Sequence, residues 1–263
     1  MKPQFGKVVL SALGALLVVQ NAARAGVLDF LGLGGQEKNT AAVPAAVSAL
    51  SQDQVVDGLK EALSKGVEQA VGRLGHDGGF LTNLNVKIPM PEKLRTVEKT
   101  LRTVHQDKLA DEFIDTMNHA AEQAVPEAAV VFSDAIKNMS VADAKAILIG
   151  TNNAATQYFR TATETNLYEK FLPIVKKATD QTGVTSAYKR LMEKVDSGSS
   201  LGGFGSFGRS LLGSEAVDVD GYVTNKALDG LFKIVAEEEQ RIRENPIART
   251  SDLLQKVFGA VRK

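Results

Sequence analysis

The feature that most constrains the fold of this chain is a helical spacing of apolar residues. Beyond residue 51, apolar side chains recur at intervals of three and four: Val55, Leu59, Ala62, Leu63, Val67, Ala70, Val71 and Leu74. This spacing places them on one face of an amphipathic helix. Ser51 and Gln54 stand before this stripe in the arrangement of a capping box, which predicts that the helix begins there.

Similar helical patterns continue along the chain, and no segment shows the strict alternation of a half-buried strand. A second stripe consists of Leu109, Phe113, Met117, Ala120 and Ala124. Pro126 is expected to interrupt or kink the helix that follows this stripe, and Ser140, with Asp143 three positions on, is a predicted N-cap. The chain has no Trp and only 6% aromatic residues, so its core must be mainly aliphatic, which favours helices over a sheet sandwich. We therefore predict an all-α fold, a multi-helix bundle.

The N-terminus has the three-part layout of a secretory signal peptide. Lys2 and Lys7 supply a basic start, residues 8–19 form an apolar run, and Ala23-Arg24-Ala25 matches a cleavage site. The apolar run is shorter than the roughly 20 residues that a membrane-spanning helix needs. We expect residues 1–25 to be removed on export to the periplasm, with no transmembrane anchor in the mature chain. Residues 26–50 are then a flexible leader, and residues 51–263 form a single helical domain.

Cysteine usage and charge exclude several classes of protein. The chain contains no Cys, which excludes disulfides, thiolate metal sites and a cysteine nucleophile. Its 31 basic and 31 acidic residues give a formal net charge of zero. This balance offers no electrostatic case for binding nucleic acid.

A glycine-rich stretch contains the spacing of a dinucleotide-binding turn, at Gly203, Gly205 and Gly208. That turn requires a strand before it and a helix directly after it, whereas here a predicted helix and a Gly/Ser run precede it. We interpret residues 197–214 as a Gly/Ser-rich loop before a C-terminal helical pair, and we expect no cofactor. Phe204 and Phe207 are unusual in a simple linker, so they are candidate contacts of a loop that docks on the body or moves as a lid.

The segment after this loop partly resembles a calcium-binding EF-hand. Asp218, Asp220 and Gly221 occupy positions 3, 5 and 6 of such a loop, but Ala216 and Ala227 occupy positions 1 and 12. Because the first ligand and the bidentate Glu are both missing, calcium is not expected. Asp220 is instead predicted to cap a helix that begins at Gly221 or the residue after it.

A polar row on one predicted helix contains a possible set of metal ligands. Glu112, Asp115, His119 and Glu122 share one face of the helix that begins at Asp107, and carboxylates and imidazole both bind metals. The row lies opposite the apolar stripe of the same helix, however, where polar side chains are usually solvated. The chain also lacks the paired Glu-x-x-His units of a di-iron bundle. We therefore predict no metal site.

Glu238 is the one carboxylate that falls on an apolar stripe. On the predicted helix from Tyr222, apolar residues surround it at helical spacing: Ala227, Leu231, Val235 and Ile242. A partly buried carboxylate needs a partner, and Arg241 is close enough on the helix to supply one. Two further pairs at i,i+4 spacing flank this position, Glu237–Arg241 and Glu239–Arg243. The arrangement is typical of a buried ion pair that fixes helix register, and the functional alternative is a carboxylate that binds or transfers a proton.

Several longer stretches resemble an uncharacterised bacterial family. They are GLKEALSKGVEQAV, KIPMPEKL, NHAAEQAV, DAIKNM, AATQYFR, KFLPIV, YVTNKALDGLF and EEEQRIRENPIARTSDLLQKVFG. Together they span roughly residues 50–259 and are similar to the DUF4197 proteins, a family of exported helical proteins. The resemblance implies a single helical domain in the cell envelope, and it implies no activity and no catalytic residues.

Two classes of function follow from the sequence. The first is a periplasmic binding or interaction protein for an apolar small molecule, a lipid or a protein segment, which the Phe-bearing loop and the apolar leader at residues 27–33 favour. The alternative is a hydrolase of the cell envelope that uses carboxylates such as Glu122 or Glu238, with Arg241 and Asn118 converging on the same pocket. The absence of any catalytic motif favours binding over catalysis.

Overall fold

The computed structural model describes residues 51–182 and 217–245, and these residues confirm the predicted all-α class. They form seven α-helices and no strand. The helices are α1 (Gln52–Leu74), α2 (Arg95–Thr103), α3 (Asp107–Ala124), α4 (Ala128–Lys137), α5 (Val141–Ile149), α6 (Ala154–Thr182) and α7 (Val219–Glu244). Short 3-10 turns at Glu92–Leu94 and Val125–Glu127 precede α2 and α4. The signal peptide, the leader, the Gly/Ser-rich loop and the second helix of the C-terminal pair lie outside the described residues.

Two helix starts follow the sequence closely. At the start of α1, the backbone N–H of Gln54 donates to Ser51 Oγ at 3.2 Å, and the N–H of Ser51 donates to Gln54 Oε1 at 2.8 Å. At the start of α5, Ser140 and Asp143 form the same reciprocal pair. Both predicted caps are therefore confirmed. Pro126 lies in the 3-10 turn between α3 and α4, as its position predicted.

The start of α7 corrects one prediction. Asp218, not Asp220, is the N-cap, and its carboxylate accepts a hydrogen bond from Gly221 N–H at 2.9 Å. Asp220 lies inside the first turn, where its carboxylate accepts a hydrogen bond from the Thr179 hydroxyl of α6 at 2.7 Å. The helix therefore begins at Val219, two or three residues earlier than predicted, and a tertiary contact engages the predicted cap.

The two longest of the described helices, α6 and α7, pack against each other and form the centre of the bundle. Helix α3 packs on both of them, while α1 packs on α7 and α4. The core of these helices contains five fully buried phenylalanines, namely Phe113, Phe132, Phe159, Phe171 and Phe232. The ring of Phe132 lies 4.9 Å from that of Phe159 and 6.0 Å from that of Phe232, centroid to centroid, which is within the range of favourable aromatic pairs.

The connection from α1 to the turn before α2, residues 75–91, is not helical, and two glycines shape its first turn. Gly78 has a φ of +84°, in the left-handed region that favours glycine. Gly79 lies so close to the backbone of Leu74 that a Cβ atom there would clash. The chain can therefore fold back over the end of α1 and run along α3.

Within the described ranges, no helix has the length and apolarity needed to cross a membrane.

Candidate functional site

The buried amide and carboxylate side chains of the described bundle fall into two groups, one on α3 and one on α7. Asn118 and Glu122 belong to α3, and Glu238 and Glu239 belong to α7; each is at most 7% exposed. Burial of such groups is unfavourable unless they are hydrogen-bonded. Their partners therefore indicate what each group does in the fold.

Asn118 fixes the extended part of the connection to α3. Its Oδ1 accepts from the N–H of Ile88 at 2.8 Å, and its Nδ2 donates to the carbonyl of Ile88 at 2.9 Å. The same Nδ2 also donates to the carbonyl of Ile114 at 2.8 Å. The amide thus pairs with Ile88 as a neighbouring strand would, which satisfies both backbone groups of a residue outside any helix.

Glu122 fixes the first turn of the same connection. Its Oε1 accepts from the backbone N–H groups of Phe80 at 2.9 Å and Leu81 at 3.2 Å. The sequence placed Glu122 in a solvated row, and for this residue the expectation was wrong: its side chain is only 4% exposed. The turn at residues 75–81 covers this part of α3, whereas Glu112 and Asp115 of the same row are exposed as expected.

The same turn brings Asp77 next to the row. The Nδ1 atom of His119 lies 3.6 Å from Asp77 Oδ1 and 3.4 Å from Glu122 Oε2. One potential ligand atom from each of the three side chains lies within 4.8 Å of the other two. Asp77 was not a candidate from the sequence, because only the fold brings it to α3.

Glu238 lies beneath two arginines. Its Oε2 accepts from Arg241 Nε at 2.7 Å, as the spacing suggested, and its Oε1 accepts from Arg73 Nη1 of α1 at 2.9 Å. Arg73 also donates to Glu237, which therefore pairs with α1. Burial by itself would lower the pKa of Arg73, but the hydrogen bonds to Glu238 and Glu237 outweigh it and raise the pKa above its ordinary value.

Glu239 has the largest set of partners, and it caps a helix other than its own. Its carboxylate accepts from the backbone N–H groups of Ala155 at 2.9 Å and Thr156 at 2.8 Å, and from the Thr156 hydroxyl at 2.8 Å. These N–H groups belong to the first turn of α6, which has no intrahelical acceptors for them. Arg243 donates to the same carboxylate through Nε at 3.0 Å and Nη2 at 2.8 Å, and its Nη2 also donates to the carbonyl of Ile147.

A family model described as a protein of unknown function (DUF4197) matches residues 49–259. The chain belongs to the DUF4197 family. No curated protein and no solved structure matched it. Every buried polar residue of this DUF4197 chain described above lies within the matched region.

The DUF4197 fold does not gather the four predicted polar residues into one site. Asn118 and Glu122 bind the connection between helices, whereas Glu238 and Arg241 form an ion-pair group with Arg73. The two pairs share no hydrogen-bond partner within the described residues. Phe204 and Phe207, the predicted loop contacts, lie outside those residues.

A cleft of the DUF4197 bundle lies beside Glu239. It encloses about 230 Å³, open solvent included, between α1, α5, α6 and α7. Its walls are mostly aliphatic, with one ion pair among them: Leu59, Ala62, Leu63, Ile147, Ala155, Ile242, Glu239 and Arg243. No sequence pattern indicates this cleft, because its walls come from four helices that are distant along the chain.

Proposed function

We propose that this chain is an exported helical protein that binds a protein segment by accepting one apolar side chain in the cleft between α1, α5, α6 and α7. The observation that carries this proposal is the composition of the cleft. Six of its eight lining residues are aliphatic, and small concave apolar surfaces with a few polar groups are the usual form of binding sites.

The size of the cleft favours a protein segment over a lipid or a free apolar molecule. Pockets that enclose a drug-sized ligand measure roughly 300–1,000 Å³, whereas the 230 Å³ of this cleft counts open solvent, so the space that it encloses is far smaller. The cleft is a shallow apolar depression that suits the end of one apolar side chain. The rest of the partner would then lie on the helices around the opening.

The polar groups in the cleft support an apolar mode of recognition. Glu239 accepts hydrogen bonds from the first turn of α6 and from Arg243, and Arg243 also bonds the carbonyl of Ile147. These bonds hold the ion pair in place as part of the wall. The free energy of binding would then come mainly from the apolar surface that the partner covers.

The bonding of Glu238 and Asn118 weighs against the hydrolase. A catalytic carboxylate must have an atom directed towards a reacting group. Both oxygens of Glu238 accept from arginines, and Asn118 bonds backbone groups through both of its polar atoms. These are the contacts of residues that hold the fold together.

The binding proposal is tested by narrowing the cleft. Linear peptides displayed on phage are selected on the purified full chain and on an Ala62→Leu variant, with Ser64→Leu as the matched control. Ala62 lines the cleft and is buried, whereas Ser64 is exposed on the same helix. Selected peptides should share one large apolar residue. Ala62→Leu should lower their binding affinity at least about tenfold, because a single methylene changes the affinity of an apolar pocket by roughly that factor.

Any of three results would contradict the proposal. The selection enriches no peptide, the selected peptides bind the parent and both variants with equal affinity, or native mass spectrometry of the parent shows a retained lipid or small molecule. Circular dichroism of each variant establishes that the helices are intact.

Export is tested separately. Cell fractionation should place the chain in the periplasm, and N-terminal sequencing of the purified protein should begin at Gly26, directly after the predicted cleavage site. A protein in the cytoplasmic fraction that begins at Met1 would show that the N-terminal segment does not direct export.

A further inference from the structure

We propose that Asp77, His119 and Glu122 form a binding site for a divalent transition-metal ion, with Zn²⁺ as the best-fitting ion. The three side chains come from the turn after α1 and from one face of α3. They are separate from the cleft, and the proposal does not depend on the binding function above.

Two distances within the cluster suit a shared metal ion better than hydrogen bonds, and one oxygen each of Asp77 and Glu122 lie within 4.8 Å of each other. His119 Nδ1 lies 3.4 Å from Glu122 Oε2 and 3.6 Å from Asp77 Oδ1, whereas hydrogen bonds from nitrogen to oxygen measure roughly 2.7–3.2 Å. Zinc binds nitrogen and oxygen ligands at roughly 2.0–2.2 Å in a tetrahedral arrangement. Two such ligands are then separated by about 3.4 Å, the tetrahedral edge for these bond lengths.

The state of the buried carboxylate is an independent observation. The Glu122 side chain is only 4% exposed, and both of its hydrogen bonds from described residues go to Oε1. Its other oxygen, Oε2, is directed towards His119 and accepts no hydrogen bond from the described part of the chain. A carboxylate with so little exposure is stabilised by a cation beside it, and a metal ion shared with His119 supplies that cation at Oε2, which lies 3.4 Å from His119 Nδ1.

The bonds to Oε1 also orient the proposed ligand. Metal-binding carboxylates are commonly held by hydrogen bonds from outside the ligand set, which fix the direction of the binding oxygen. Here the N–H groups of Phe80 and Leu81 perform this role. The turn that carries these N–H groups also carries Asp77, so one turn both supplies a ligand and orients another.

The donor set selects the class of ion. Imidazole is a ligand for Zn²⁺ and neighbouring transition metals, whereas sites for Mg²⁺ and Ca²⁺ are built from oxygen alone. Three protein ligands leave a fourth tetrahedral position, which in such sites is taken by water. The Asp77 side chain is 94% exposed, so that position faces solvent.

The test is calorimetric titration of the purified full chain with ZnCl₂ after dialysis against a chelator. We expect one Zn²⁺ per chain, and binding weakened at least about 100-fold in Asp77→Asn and in His119→Ala, since removal of a residue that only supports a ligand already costs roughly 10–100-fold. Because Asp77 is exposed, its replacement tests the site without disturbing the core.

The controls are His105→Asn and Asp115→Asn. His105 has a φ of +59°, which Asn tolerates, and Asp115 lies on α3 but outside the cluster. Both variants should keep the affinity of the parent. The proposal is overturned if the parent shows no saturable 1:1 binding, if Asp77→Asn and His119→Ala bind as the parent does, or if the control variants lose binding to the same extent.

Discussion

Replacement of Glu239 by Ala should destabilise the bundle more than removal of an ordinary ion pair. The substitution removes the acceptor for two N–H groups of the first turn of α6 and for the Thr156 hydroxyl. It also leaves Arg243, whose side chain is 11% exposed, without its carboxylate. Since α6 is the longest described helix and packs on α3, α4, α5 and α7, the effect should reach the whole domain.

The magnitude follows from two contributions of Glu239. Loss of a helix cap costs about 0.5–2 kcal/mol, and loss of one partner from a buried ion pair costs about 3–5 kcal/mol because the other charge is left buried. One carboxylate serves both roles, so the two costs are not simply additive. We expect the free energy of unfolding to fall by about 4 kcal/mol, and by about half of that in Glu239→Gln/Arg243→Met, which keeps a hydrogen-bond acceptor and removes the buried arginine charge.

The measurement is urea unfolding followed by circular dichroism, with the denaturant slope compared between variants. Glu244→Gln is the matched control, because Glu244 is an exposed glutamate on the same helix. If Glu239→Ala costs less than about 1 kcal/mol, as an exposed ion pair would, or if the double variant is no more stable than Glu239→Ala, then Glu239 is not the buried cap and ion-pair partner described here.

Three further predictions concern other parts of the bundle. Asn118→Ala should lower the free energy of unfolding by about 3 kcal/mol, since the backbone N–H and C=O of Ile88 lose their partners; urea unfolding and faster hydrogen exchange at the Ile88 amide would show it. Burial raises the pKa of Tyr158 above its ordinary 10.0. The stability that its protonated hydroxyl provides is therefore complete below about pH 10 and is lost as the pH rises through the pKa of the folded state. In urea unfolding at a series of alkaline pH values, Tyr158→Phe should make the decline in stability less steep. Gly230→Ala should lower Tm, because its Cβ would lie 2.7 Å from an aromatic ring carbon, whereas Gly72→Ala, with nothing within 4 Å, should raise it.

The sequence predicted those features whose causes lie close together along the chain. The caps at Ser51 and Ser140 were found because donor and acceptor are three residues apart. The pair between Glu238 and Arg241 was found for the same reason. The cap of α7 was misplaced because Thr179, which bonds Asp220, is 41 residues away.

The other parts of the site depend on contacts between residues far apart along the chain, which the spacing of apolar residues does not predict. The apolar stripe of α3 predicts which face packs on other helices, and Glu122 lies opposite that face. It is nevertheless buried, because a turn built on Gly78 and Gly79 covers it. Arg73 was missed for a similar reason, since 165 residues separate it from Glu238.

The contacts of α7 also set the order in which this protein can complete its structure. Arg73 of α1 bonds Glu238, and the first turn of α6 is capped by a residue 84 positions after Ala155. A chain is synthesised at roughly 5–20 residues per second, so α1 is made about ten to thirty seconds before its partner on α7 exists. During that interval the apolar stripe of α1 lacks one of the helices that cover it, since α4 is already made and α7 is not. Because the last described helix supplies the partners of residues on the first, the core stays incomplete until α7 has left the ribosome. The newly made chain must stay soluble until then.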